Sequence, residues 1–329
     1  MESVLELKGK LQNVYAQYST YIDKVVRFVL AFVAFFMINR EIGYMHMLAN
    51  PVVALGLAVI CGFLPPIFTL VAGAVLTMAH VYSVSLGMLI VTALLFVIMY
   101  VFYLRFAPKT AIVILVVVTA YIAKVPAAAL VALGLLGTPA YAVPAALGTI
   151  AYYTIHQVKK SAAAIQAAKS SSFVNDMIKF AKQAVSSKEM WLMVIAGIIC
   201  IILVYTIRRA AMAHAWKAAS VAGALAYLIV AAAGGSVLGV KTSTTTLFVG
   251  AVVAVVTGLV LEIIFFAVDY SKCESLQFED DEYYYYVKAV PKVGVTVPEK
   301  TVQQINKREE YPSETEVIDA KELRKKTQQ

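Results

Sequence analysis

Acid is scarce along most of this chain. No Asp or Glu occurs between Glu41 and Asp176, and residues 1–269 carry 18 Lys/Arg against 8 Asp/Glu. Only 15% of the 329 residues are charged while 61% are hydrophobic, well above the roughly half-apolar composition of soluble domains. An ordinary soluble fold is excluded. The basic excess sits among apolar runs, where Lys and Arg near span ends set orientation and meet anionic lipid. No basic-aromatic surface accompanies it, so nucleic acid is not an expected partner.

Cysteine is equally sparse. Cys61 and Cys200 lie inside apolar runs, Cys273 stands alone, and no CxxC pair exists. A disulfide framework or zinc site is therefore not expected. His46, His80, His156 and His214 are widely spaced, without HExxH or a Cys/His ligand pattern, so no metal centre is expected. GxSxG, a P-loop and a helix-opening GxGxxG are missing too, and Gly234-Gly235 reads as a close-packing point. No catalytic residues, no cofactor and no enzymatic activity are expected. Residues 1–21 are polar and mixed in charge, and the first apolar run ends on Asn39-Arg40-Glu41. The first span is accordingly read as retained rather than as a cleaved signal.

Long uncharged runs are what the chain does have. Asn50 to His80 holds no Asp, Glu, Lys or Arg over about 30 residues, against about 20 needed for one crossing, and Pro65-Pro66 splits it. Ala111 to Leu136 repeats the arrangement around Lys124-Val125-Pro126. Aligning 51–76 on 111–136 matches Pro66 with Pro126 and several Val, Leu and Ala; an internal repeat and chance in an apolar sequence both explain this. Further spans are expected at 22–38, 84–103, 191–207, 218–240 and 247–268. The fold class is an all-α polytopic membrane protein of about eight transmembrane helices with proline-broken segments. A short soluble C-terminal tail with room for a β-hairpin follows.

The expected organisation is an amphipathic N-terminal segment (1–21), a first membrane half with broken helices (22–155), a polar connection (156–190), a second membrane half (191–268) and a partly disordered tail (269–329). In the connection, Phe173, Val174, Met177, Ile178, Ala181 and Val185 share a helix face, with Lys179 and Lys182 beside it. That pattern suits a helix lying on the membrane surface. Three spans separate this lysine-bearing connection from the tail, so the two fall on opposite sides. Arg208, Arg209, Lys217 and Lys272 favour a plasma-membrane protein with a cytoplasmic tail.

Two sets of functional candidates emerge. Proline frees backbone carbonyls, which at membrane depth need protein or water as partners. Transporters use such half-helix ends as binding sites. Pro65, Pro66, Lys124 and Pro126 are thus candidates for a substrate pathway, and the two breaks are expected to meet in the interior. Glu262, the one acid well inside an apolar span, joins them. A packing kink at the prolines and interfacial positions for Lys124 and Glu262 are the competing structural readings. Tyr283, Tyr284, Tyr285 and Tyr286, preceded by four acids at 279–282, would line both faces of a strand. They are candidates for binding a partner, or for the core of a small domain of their own.

Several stretches, taken together, carry a resemblance: FLPP at 63–66, RFAPK at 105–109, LLGTPAYAVP at 135–144, YTIRR at 205–209, HAW at 214–216 and FEDDEYYYYVKAVPK at 278–292. They resemble uncharacterised multi-pass membrane proteins of clostridial-type Gram-positive bacteria, some of them labelled ABC-transporter permease. The resemblance implies a multi-span fold and no particular substrate. No EAA-type loop for contacting an ATPase is visible. The expected function is a permease or channel-like transporter with its site at the broken helices. The alternative is a non-transporting scaffold whose tail recruits a cytosolic or envelope protein. The lipid bilayer is the expected partner in both, and an oligomer is compatible with either.

Overall fold

The computed structural model describes residues 2–167, 173–210, 212, 214–240, 243–265, 274–279 and 284–289. Helix dominates. The elements are α1 (Glu2–Ile42), α2 (Pro51–Phe63), α3 (Pro66–Tyr82), α4 (Leu86–Met99), α5 (Ala111–Ile122), α6 (Pro126–Leu136), α7 (Ala142–Ala167), α8 (Phe173–Val185), α9 (Lys188–Arg208), α10 (Ala215–Leu238) and α11 (Thr244–Phe265). A π-helical turn, Tyr100–Leu104, prolongs α4.

Close to the boundary expected at residue 21, Tyr18 leaves helical geometry (φ −119, ψ 22), so two helical stretches meet at a kink within α1. The Tyr15 hydroxyl donates to Asp23 Oδ1 at 3.0 Å across that kink.

Both proline-marked runs are reversals, not bent rods. A methyl added to Gly62 near the end of α2 would meet Phe28 of α1, whereas one added to Gly73 of α3 would meet Ile38 and Phe35. The chain therefore descends along α1 in α2, turns at Leu64–Pro65, and climbs back in α3. His80 at the top of α3 reaches Asn39 near the top of α1. The second run turns in the opposite sense. Gly148 of α7 packs on Ile114 and Val117 of α5, and one turn further on in both helices Tyr152 stacks on Tyr121, so the two are parallel. Leu130 meets Gly197 and Gly134 meets Val204, so α6 runs parallel to α9. Since Glu189 at the start of α9 meets Tyr153 and Lys160 late in α7, α9 opposes α7. It follows that α5 and α6 form a hairpin.

Eight crossings are not reproduced as such. Among the described residues four segments are long and apolar enough to span: Leu86–Leu104, Met177–Arg208, Ala215–Leu238 and Thr244–Phe265. Four apolar helices are shorter, and the 11 residues of α6 reach only about 16 Å against a hydrocarbon core of about 30 Å. This is a membrane protein with several apolar helices. Its outward faces carry large apolar side chains, such as Val52, Phe102 and Val237, that would be anomalous in water.

Two large cores and a small one under α8 result among the described residues. One large core joins α5–α7 with α9–α11 around Leu130, Val131, Ile201 and Tyr227; the other joins α1–α5 and α7 around Ala31, Phe35, Ala54 and Ala58. Small residues let the backbones of the first core approach closely, as lipid-embedded helices require. A Cβ on Gly223 would lie 2.1 Å from Val204, one on Gly234 2.2 Å from Leu192, and one on Gly258 2.3 Å from Ser220. That half is solidly packed.

Helix α8 is amphipathic, as expected, with its contact face rotated. Phe180 and Ala184 are buried, and Phe180 packs with Val81, Met88 and Val158, while Val174, Ile178 and Val185 stay exposed. Its apolar stripe is wide enough for one edge to hold protein and the other to meet lipid. Trp191 anchors the C-terminal end by donating from Nε1 to the Val185 carbonyl at 2.9 Å.

Candidate functional site

The break at Lys124 is closed by backbone. The Val125 N–H donates to the Ala120 carbonyl at 2.9 Å and the Lys124 N–H to the Tyr121 carbonyl at 3.0 Å. This pair of bonds is the Schellman pattern, whose C′ residue sits in the left-handed region. Lys124 occupies it at φ 62, where glycine is usual. Pro126 then opens α6 from a position where a missing N–H costs nothing. At the first break the Leu64 N–H donates to the Cys61 carbonyl and the Phe68 N–H to the Pro65 carbonyl, and Pro65 and Pro66 have no N–H to satisfy.

The two breaks do not meet. Pro65 and Pro66 follow Gly62, which lies level with Lys24 and Phe28 of α1. Lys124 follows Tyr121, whose ring stacks on Tyr152 at 5.0 Å. Tyr152 in turn stacks on His156, beside Glu41 of α1. Lys24 and Glu41 are about 25 Å apart along one helix, so the expected convergence in the interior is replaced by placement at opposite ends. Lys124 is exposed, as is Pro65, while Pro66 and Pro126 are half-buried. Glu262, also half-buried, stands one turn beyond Gly258, at the end of α11 remote from Gly250 and Lys124.

Two polar clusters at the Glu41 end were not foreseen. The first fixes the loop after α1. His80 is fully buried, and its Nδ1 accepts the Met45 N–H at 3.1 Å. Nε2 must then carry the proton, and donates to Asn39 Oδ1 at 3.0 Å. Asn39 Nδ2 donates to the Leu48 carbonyl at 2.7 Å. The second cluster gathers on α7. Lys159 Nζ donates to Glu41 at 3.1 Å, while Lys160 lies 3.8 Å from Glu189, which also accepts the Tyr153 hydroxyl at 3.3 Å. His156 Nδ1 is buried without a hydrogen bond, 3.9 Å from Glu41. Burial, aided by Lys160, holds the His156 proton affinity below its ordinary value, and Glu189 and Glu41 oppose that. Lone His and Glu residues far apart in sequence gave no signal for either cluster.

Arg208 caps α6. Its guanidinium donates to the Leu135 and Gly137 carbonyls and lies over the Tyr205 and Trp216 rings. The last carbonyls of a helix have no partner of their own, and here the ninth helix supplies one.

No family model matches this chain, and no curated protein or solved structure is similar to it.

Two surfaces stand out. In the tail, β1 (Glu274–Glu279) and β2 (Tyr284–Ala289) pair antiparallel, with Phe278 opposite Tyr285 and Gln277 opposite Tyr286. Tyr284, Tyr285 and Tyr286 are 64%, 47% and 79% exposed among the described residues. Tyr283 lies outside the described residues, as do 266–273 and everything after Ala289. The other surface is a lateral cleft of about 460 Å³ between α3, α4 and α5. Phe68, Val71, Val75, Phe96, Val97 and Val118 are among its walls, and Thr77 and Tyr100 are its only hydroxyl-bearing members. Thr77 spends its hydroxyl on the Gly73 carbonyl at 2.8 Å. None of the five pathway candidates lines this cleft.

Proposed function

We propose that the protein is a membrane-embedded scaffold whose tail recruits a protein partner through its tyrosine-bearing hairpin. The supporting observation is the state of the two breaks. The N–H groups of Leu64, Phe68, Lys124 and Val125 are bonded within the turns, and the two breaks stand at opposite ends of the bundle. They therefore do not build the shared central site that half-helix transporters use. The exposed tyrosines supply large amphipathic contact area of the type enriched in protein interfaces. A cytoplasmic tail belongs to this reading, and the support for it is that Arg208, Arg209 and Lys217 stand at the same end of the bundle as the end of α11.

A transporter is the second reading, favoured by one feature. The α2–α3 and α5–α6 hairpins are proline-marked and run in opposite senses, as inverted repeats do in many transporters.

Cysteine accessibility separates the two. Single cysteines replacing Ala128, Val131 or Ala254 in the full-length protein are treated in membranes with a water-soluble maleimide from both sides. The scaffold reading expects no labelling before detergent is added. Rapid labelling at any of the three from either side would establish a water path and overturn it.

A further inference from the structure

We propose that the cleft between α3, α4 and α5 holds an acyl chain of an anionic phospholipid, with the lipid phosphate on Arg105 and Lys109. The cleft runs along α3 from Ile67 to Met78, about 16 Å of helix. Its volume is in the range of small-molecule sites, and its walls are almost wholly apolar. A bilayer presents such a surface with lipid chains, and a chain lying in a cleft touches protein on several sides.

The π-helical turn shapes the lower end. Tyr100 and Leu104 line the cleft there, and the Arg105 N–H donates back to the Tyr100 carbonyl at 2.9 Å. Turns of this kind are uncommon and concentrate at functional sites. Immediately after this turn come Arg105 and Lys109, both exposed and neither in a salt bridge among the described residues. The chain places no carboxylate between Glu41 and Asp176, so the segment that builds the cleft supplies no anion to neutralise them. An apolar slot ending in two unneutralised cations complements a lipid with an anionic head. A zwitterionic lipid would satisfy the slot without the charges.

The test uses full-length protein in nanodiscs of phosphatidylcholine doped with phosphatidylglycerol, followed by native mass spectrometry after release into mild detergent. Wild type is expected to retain phosphatidylglycerol above its share of the bilayer. Arg105→Gln and Lys109→Gln should each reduce that preference about fivefold, from about 1 kcal/mol per basic residue at a membrane surface. Ala74→Phe with Ala93→Phe, which fills the slot, should remove retention of both lipids. Because the filled variant could misfold, photo-crosslinking of wild type with an acyl-chain diazirine phosphatidylglycerol serves as an independent readout. Labelling concentrated on α3 and α4 peptides over the outward face of α11 is expected. Even labelling, retention unchanged by filling, capture of free fatty acid instead of phospholipid, or a dimer of the chain that closes the cleft would each overturn the proposal.

Discussion

Glu41 on α1 accepts a hydrogen bond from Lys159 on α7 at 3.1 Å, across 118 positions of sequence. Glu189 does the same work one residue further along, taking the Tyr153 hydroxyl and facing Lys160. In a chain with so few acids, two of them converge on one face of α7 and tie the first and ninth helices to it. The cations are about half exposed, so each pair contributes roughly 0–1 kcal/mol. Their larger effect is on what lies between them.

That neighbour is His156, which sets a pH dependence. Its folded-state proton affinity is lowered, so between that value and the unfolded value of about 6.5 the unfolded chain binds more protons. Stability from the neutral ring is full above the unfolded value and is lost as pH falls toward the folded one. Thermal stability of wild type should therefore decline as pH falls below about 6.5, and His156→Gln should flatten that slope. Glu41→Gln should steepen it, because the carboxylate supports the charged ring. Equal slopes in wild type and His156→Gln would contradict the assignment.

Lys124 holds a left-handed backbone for which its side chain gives no reward. A non-glycine residue there costs about 1–2 kcal/mol, so Lys124→Gly should stabilise the fold by roughly 1 kcal/mol. If Lys124 were instead a charge on a conduction path, the same substitution would abolish function. Melting temperature in detergent, compared with Lys124→Ala, checks the backbone account. Alanine keeps the strain while removing the charge, so a gain from alanine as large as from glycine would rule that account out.

How much of this was legible beforehand follows from what acts locally. Apolar run length, proline and the Tyr- and Val-rich stretch around the acids at 279–282 speak through a few neighbouring residues, and the membrane class, the breaks and the hairpin could be read from them. The reversal at Pro65-Pro66 could not, because bent and folded-back chains share the same residues and only Gly62 against Phe28 decides between them. The Schellman turn at Lys124 lacks the glycine that announces such turns. Asn39 and His80, or Glu41 and Lys159, meet through packing of whole helices, which leaves no short-range pattern. On α8 the apolar stripe is legible in the sequence, but which edge of it meets protein is not: Val174, Ile178 and Val185 stay exposed while the contact falls to Phe180 and Ala184.

Close packing in the second half makes glycine the sensitive residue there. Gly223→Ala must displace Val204, whose Cγ2 lies 2.1 Å from the new methyl, and should cost about 1–3 kcal/mol by overpacking. Gly56 on α2 has nothing within 4 Å of an added Cβ, and Gly56→Ala should be neutral or stabilising by up to about 1 kcal/mol. Chemical unfolding of the pair in mixed micelles reads the contrast. Equal responses would mean that α9 and α10 are looser than their separation implies.

Arg208 offers the most specific test of how the two halves of the bundle are joined. The Gly137 and Leu135 carbonyls are the last acceptors of α6 and its exit, and Arg208 reaches both from another helix while its stem and ring contacts pass Tyr205 and Trp216. Arg208→Ala strands two acceptors and removes the planar group between the rings, so a loss of about 1.5–3 kcal/mol is expected from a charged hydrogen bond alone. Arg208→Lys should recover only part, because a point ammonium cannot serve two carbonyls in fixed fork geometry or stack as guanidinium does. Hydrogen exchange at Thr138 to Tyr141 locates the effect: faster exchange there in both variants, with the rest of α9 unchanged, is the signature of a lost cap. Uniform acceleration along α9 would mean instead that Arg208 matters to its own helix and not to α6.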